Sequence, residues 1–136
     1  MATQPTEVEL QILNVLWEQG ASTVRQVHDV LQLEKETNYA TTVKMLAVML
    51  EKNLVTRDQS IRPQVYKAAV SQKSTQKRVL KNVVEKMFSG SASSLVLQAL
   101  SSGKTSQDEL DEIRDLVDQL QKRERNSNNS RKGKKS

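Results

Sequence analysis

From Val8 to Trp17 apolar residues occupy most of a helix circumference, leaving Gln11, Asn14 and Glu18 as a polar strip. Thr6-Glu-Val-Glu9 has the spacing of a capping box and Gly20 supplies a stop, so the chain is predicted to open with a helix that has neighbours on several sides. Trp17, at the end of this helix, is read as core. Thr23-Val-Arg-Gln26 repeats the capping spacing before a shorter helix with Val24, Val27 and Leu31 on one stripe and His28 at its edge. Gln32 to Thr37 is polar and makes a turn. The next helix, from Asn38 to Asn53, places Tyr39, Val43, Leu46, Ala47 and Leu50 towards a core when residues are set at 100° steps. Thr41, Lys44, Val48 and Lys52 fall on the opposite side, with Met45 at the edge. Leu54–Thr56 and Val65–Lys67 are β-branched or aromatic runs around the polar segment Asp58–Pro63, which predicts a hairpin.

Two short helices joined by a polar turn, followed at once by a hairpin, form the pattern of a winged helix-turn-helix. The face carrying Ala40, Thr41, Thr42, Lys44, Met45, Val48 and Lys52 is small, hydroxylic or cationic, as a helix entering a DNA major groove requires. Thr41, Met45 and Val48 offer methyl and thioether surface to thymine methyls, and Lys44 reaches a guanine edge or a phosphate. Arg57, Arg62 and Lys67 are the candidate phosphate contacts of the wing. Ordinary α+β packing with solvated charges is the competing reading of the same pattern.

Beyond Ser71 three narrower stripes follow: Val79, Leu80, Val83, Val84 and Met87; Leu95, Val96, Ala99 and Leu100; and Leu110, Ile113, Val117 and Leu120 at heptad spacing. Ser89-Gly90-Ser91 and Ser102-Gly103 separate them, and Ser106-Gln-Asp-Glu109 caps the third. Such short helices cannot enclose a core of their own, so their apolar faces are expected to meet a second copy, with Val83, Met87, Leu95, Val96, Ala99, Leu110, Ile113, Val117 and Leu120 at the contact. The expected fold is mainly α, an α+β winged helix-turn-helix over residues 1–71 with a helical dimerisation domain over 72–121. Residues 122–136 read as a disordered basic tail.

The chain has 136 residues and a net charge of +5, but the charge is local. Residues 122–136 hold seven Lys or Arg against one Glu, and the rest of the chain is close to neutral. Residues 39–70 hold five basic and two acidic side chains and 104–121 two basic and six acidic, a segregation unlike a general polyanion binder. With no cysteine, one histidine and no glycine-rich phosphate loop, no nucleophile–base pair or thiolate metal site is available, so neither an enzyme nor a cofactor or metal is expected. No long apolar run and no signal-peptide pattern is present, so the expectation is a cytoplasmic protein without membrane insertion.

The runs PTEVELQILNVLWEQGASTVRQVHDVL, YATTVKML and RPQVYKAAVS resemble the penicillinase and methicillinase repressor family, which also contains copper-responsive repressors. The resemblance spans residue 5 to about 121. It implies a winged-helix DNA-binding domain joined to a helical dimerisation domain, and a dimeric repressor on an inverted-repeat operator of double-stranded DNA. The alternative from a different class is a winged-helix module that binds DNA with little sequence preference, or binds another protein. In the antibiotic-responsive branch the resemblance further implies a membrane sensor metalloprotease as partner, which triggers cleavage in the helix spanning about Ser91 to Leu100 and so separates the DNA-binding from the dimerising part. The family's cleaved Asn-Phe pair corresponds to Gln98 and Ala99, so its aromatic is missing. Met49 stands where a basic residue is common on the family's recognition helix, Asn53 where a glycine closes it, and Gln64 where a second wing tyrosine is usual. The cysteine cluster of the copper-responsive branch is absent.

Overall fold

A computed structural model describes residues 4–133, with side chains described as far as Asn129. Helix α1 (Glu7–Gln19) begins at the predicted capping box: the Thr6 hydroxyl accepts from the Glu9 amide at 3.3 Å, and the Glu9 carboxylate accepts from the Thr6 amide at 2.8 Å. Helix α2 (Val24–Glu34) repeats the device with Thr23 and Gln26, at 3.2 and 2.9 Å. Each box satisfies two amides that would otherwise be orphaned in the first turn. Helix α3 (Tyr39–Glu51) is capped by Asn38, whose side chain accepts from the Ala40 amide at 2.9 Å. It is followed by Asn53 at φ 62°, the left-handed residue that lets Leu54 turn back and donate to the Met49 carbonyl at 2.9 Å.

Strands β1 (Val55–Asp58) and β2 (Val65–Ala68) pair antiparallel, from Val55 opposite Ala68 to Asp58 opposite Val65. Ser22, between α1 and α2, adds a bridge to the free edge of β2. Its amide and carbonyl exchange hydrogen bonds with Tyr66 at 2.9 and 2.7 Å. Strand β2 is thereby fixed to the α1–α2 connection at Tyr66. The core it closes contains Ile12, Leu13, Val15 and Leu16 of α1, Val27 of α2, Leu46 and Met49 of α3, and Leu54, Val55 and Tyr66. Each of the larger of these side chains stabilises the fold by about 1.5–3 kcal/mol through burial. Trp17 packs against this cluster and donates its indole N–H to the Val70 carbonyl at 3.0 Å.

Helix α4 (Gln72–Met87) starts at Ser71, whose hydroxyl accepts from the Ser74 amide while its carbonyl accepts from the buried Thr75 hydroxyl at 2.8 Å. The chain divides into two compact units after Met87, with α4 in the first, whereas the sequence pattern sets the break after Ser71. The Trp17–Val70 bond holds the entry to α4 against the winged core.

The second unit contains α5 (Ala92–Ser102) and α6 (Gln107–Gly133). Gly103 between them is required: a Cβ there would lie 2.6 Å from the Ala99 carbonyl oxygen. Helix α6 continues past residue 121 to Gly133, so the expected disordered tail is helical as far as it is described; residues 134–136, like 1–3, lie outside the described residues. Extending an existing helix avoids the nucleation cost, and Lys122, Arg123, Glu124 and Arg125 are good helix formers. No large apolar side chain of the described residues of this unit is buried.

Candidate nucleic-acid interface

Helix α3 is turned by about 80° from the orientation its apolar residues suggest. Thr42, Leu46 and Met49 are fully buried, while Tyr39, Val43 and Ala47, expected in the core, are exposed. The solvent face therefore consists of Ala40, Thr41, Val43, Lys44 and Ala47, with Val48 half-buried beside it.

Two residues assigned to the groove from sequence have other partners. The Thr42 hydroxyl lies 2.9 Å from His28 Nδ1 in the core, so it joins α2 to α3 and offers nothing at the surface. Lys52 places its ammonium 3.0 Å from both oxygens of Glu9, which is 1% exposed, and so joins the end of α3 to the start of α1. Burial raises the Glu9 pKa, but the Thr6 amide, the Lys52 ammonium and the Thr6 hydroxyl outweigh it and hold the carboxyl below its usual range. Met45 is half-buried against the core and, with Thr41, lines a cleft of about 600 Å³ that also includes Val8, Leu31, Glu34 and Glu36. Met49 is core, so the substitution of a basic family residue there lies inside the fold and not on the groove face.

Besides Val43 and Ala47, two further exposed residues, Arg25 and Tyr39, join the face without having been expected there. The Arg25 guanidinium carbon sits 4.6 Å from the centroid of the Tyr39 ring, and Tyr39 meets His28 edge to face at 5.3 Å and 87°. Arg25 is thus held at the N-terminal end of α2 by a cation–π contact that also restrains its guanidinium. Its signal in the sequence is its place as the one cation of α2, two residues after the Thr23 cap.

On the hairpin Arg57, Arg62 and Lys67 are all exposed, but the register separates them. Arg57 pairs with Tyr66 and Lys67 with Thr56, so Arg57 and Lys67 leave the ribbon on opposite faces. Strand β1 ends in Asp58, whose Oδ1 accepts from the hydroxyl and amide of Ser60 in the loop. These bonds hold its carboxyl ionised, below its usual pKa range. The expected dimer residues are also surface-accessible in the single chain: Met87 is 76% exposed and Val96, Leu110, Val117 and Leu120 are exposed, as is Ala99, with Val83, Leu95 and Ile113 half-buried. Among the described residues no group of side chains has metal-ligand composition, and no helix is long and apolar enough to cross a membrane.

The sequence model of the penicillinase repressor family matches residues 5–119. The methicillin resistance regulatory protein MecI of Staphylococcus aureus (strain N315) and that of Staphylococcus epidermidis are each 21% identical over 106 residues, covering 78% of this chain and 86% of the relative. The protein of the same name from Mammaliicoccus sciuri is 20% identical over the same length and coverage. Since the match takes in the helix-turn-helix, the hairpin and the helices that follow, the chain belongs to the penicillinase repressor family, whose members are transcriptional regulators and not enzymes.

Proposed function

We propose that this chain is a cytoplasmic homodimeric repressor that sets α3 into the major groove of each half of an inverted-repeat operator and releases the DNA when the dimer is lost. The observation that carries the reading is the bare face of α3. Ala40, Thr41, Val43, Lys44 and Ala47 are exposed on a helix whose other side is locked into the core. Small side chains let the backbone approach base edges, and the methyls of Ala40, Val43 and Ala47 suit thymine methyls, while Lys44 supplies the polar contact. Arg25 on one flank, and Arg62 with Arg57 or Lys67 on the wing, meet phosphates and fix the register of α3 in the groove.

A two-fold dimer reads a pseudo-palindrome with half-sites one or more helical turns apart. Its support here is the unburied apolar surface of α5 and α6, which one copy leaves open to water. Release by a membrane sensor metalloprotease acting in α5 fits an 11-residue helix with no buried residue, because such a helix opens at little cost. Gln98 and Ala99 are both exposed there. With Ala99 in place of an aromatic ring, a protease pocket shaped for phenyl would lose about 3 kcal/mol of contact, so the cut in this chain is expected elsewhere in α5.

The test is a titration of a palindromic fragment from the chain's own promoter region against a random duplex at one fixed salt concentration. A preference of about a thousandfold or more is expected of a specific repressor. Equal affinity would leave a winged module without sequence preference, and no binding to either duplex would leave a protein-binding module.

A further inference from the structure

Helix α6 spans 27 residues, about 40 Å, and its charge is divided along that length. Asp108, Glu109, Asp111, Glu112 and Asp115 crowd its first third, and Lys122, Arg123 and Arg125 follow the last apolar residue, Leu120. Along the helix, starting within the acidic third, runs a stripe in which Leu110 is 36%, Leu116 54%, Val117 46% and Leu120 51% exposed. Leu110 and Val117 occupy heptad position a, Ile113 and Leu120 position d, and Glu109, Leu116 and Arg123 position g.

We propose that α6 packs antiparallel against α6 of a second copy, centred on Leu116, with Arg123 facing Glu109 of that copy. The inference rests on the homodimer reading above. In an antiparallel pair g faces g, so Leu116 opposite its own counterpart sets Glu109 opposite Arg123 on both sides of the two-fold axis. The basic end of each helix then covers the acidic third of the other, and the two macrodipoles oppose. The facing Arg114 side chains near the axis each have Asp111 and Asp118 one turn away on their own helix. A parallel pair also offers an attractive contact, Glu109 with Arg114, but it lays the two acidic thirds side by side. The basic segment continues the same helix that carries the apolar stripe, and it lies in the unit that holds α5 and α6, which favours the second copy over DNA as its occupant.

The experiment is sedimentation equilibrium on the full chain, with far-UV circular dichroism to confirm helicity. Arg123→Glu is expected to raise the dimer dissociation constant about tenfold, and Glu109→Arg added to Arg123→Glu to bring it back to within about threefold of the original. The Ser106 hydroxyl also donates to the Glu109 carboxylate at 3.0 Å, so rescue is scored against Arg123→Glu and not against Glu109→Arg alone. Two results overturn the pairing. One is rescue by Glu109→Arg with Arg114→Glu in place of the first pair, which selects the parallel arrangement. The other is an unchanged dimer constant in Arg123→Glu together with weaker operator binding and a flatter salt dependence, which assigns Arg123 to phosphates. An unsubstituted chain that stays monomeric would instead remove the homodimer reading itself.

Discussion

Replacing Lys52 by Met separates a structural role from a DNA-binding one. The ammonium lies 3.0 Å from both oxygens of Glu9, a carboxylate only 1% exposed, while Lys52 itself is 26% exposed. Breaking a buried pair from one side costs about 3–5 kcal/mol, because the remaining charge stays desolvated. Water can reach the position left by the partly exposed lysine and re-solvate Glu9, so the cost falls below that range, to about 2–3 kcal/mol. For a unit of this size each kcal/mol moves the melting temperature by about 4–8 °C, giving a fall on the order of 10–20 °C. The pH dependence carries a sign. Glu9 has a folded-state pKa below its unfolded value, so it contributes stability above the unfolded carboxylate range, and that contribution is lost as pH falls through the folded value. In Lys52→Met burial is opposed by Thr6 alone, so the deficit is largest at pH 7.5 and shrinks towards pH 4. Urea unfolding at the two pH values measures it. A deficit below about 0.5 kcal/mol at pH 7.5, or an equal one at pH 4, would refute the reasoning. Where the variant is folded, its operator binding should keep the salt slope of the original protein; a loss of about 0.9 units would return Lys52 to the phosphate contacts.

Three further substitutions address other parts of the molecule. Thr42→Val leaves His28 Nδ1 without its buried partner and should cost about 1–3 kcal/mol in thermal or urea unfolding while sequence preference is retained; an altered preference would put Thr42 back on the groove face. Lys44→Ala should cost about 1–3 kcal/mol of operator affinity and relax specificity at one position, read by competition with single-base variants; uniform weakening on every sequence would make it a phosphate contact. Leu110→Asp should give monomers by sedimentation with a winged unit that still melts cooperatively, and operator binding should fall far more than stability does. A Leu110→Asp chain that stays dimeric would move the contact off α6.

The parts of this structure legible in the sequence are those written over short distances. The boxes at Thr6–Glu9 and Thr23–Gln26 close within three residues, and Asn53 takes the left-handed position because the helix ends there and no glycine is at hand. The orientation of α3 was not legible. Its apolar residues surround most of the helix, and the direction that faces the core is set by a hydroxyl finding a histidine 14 positions away. Periodicity counts Thr42 as polar and therefore outward, whereas His28 makes it the more easily buried residue. Lys52 misleads for the same reason, since its partner lies 43 residues earlier in α1. In the tail, charge and Asn–Ser content argue for disorder, but the helix that precedes it removes the nucleation step which that argument assumes.

The indole of Trp17 gives the molecule an optical reporter. It is the one tryptophan in the chain, and its N–H is committed to the Val70 carbonyl, one residue before the cap of α4. Emission from this ring is therefore sensitive to whether the backbone leaving the winged core stays docked. A red shift without loss of helical circular dichroism would register release of the entry to α4 before any global unfolding, with no label attached. Because its partner is a backbone carbonyl, the signal survives every side-chain substitution proposed above.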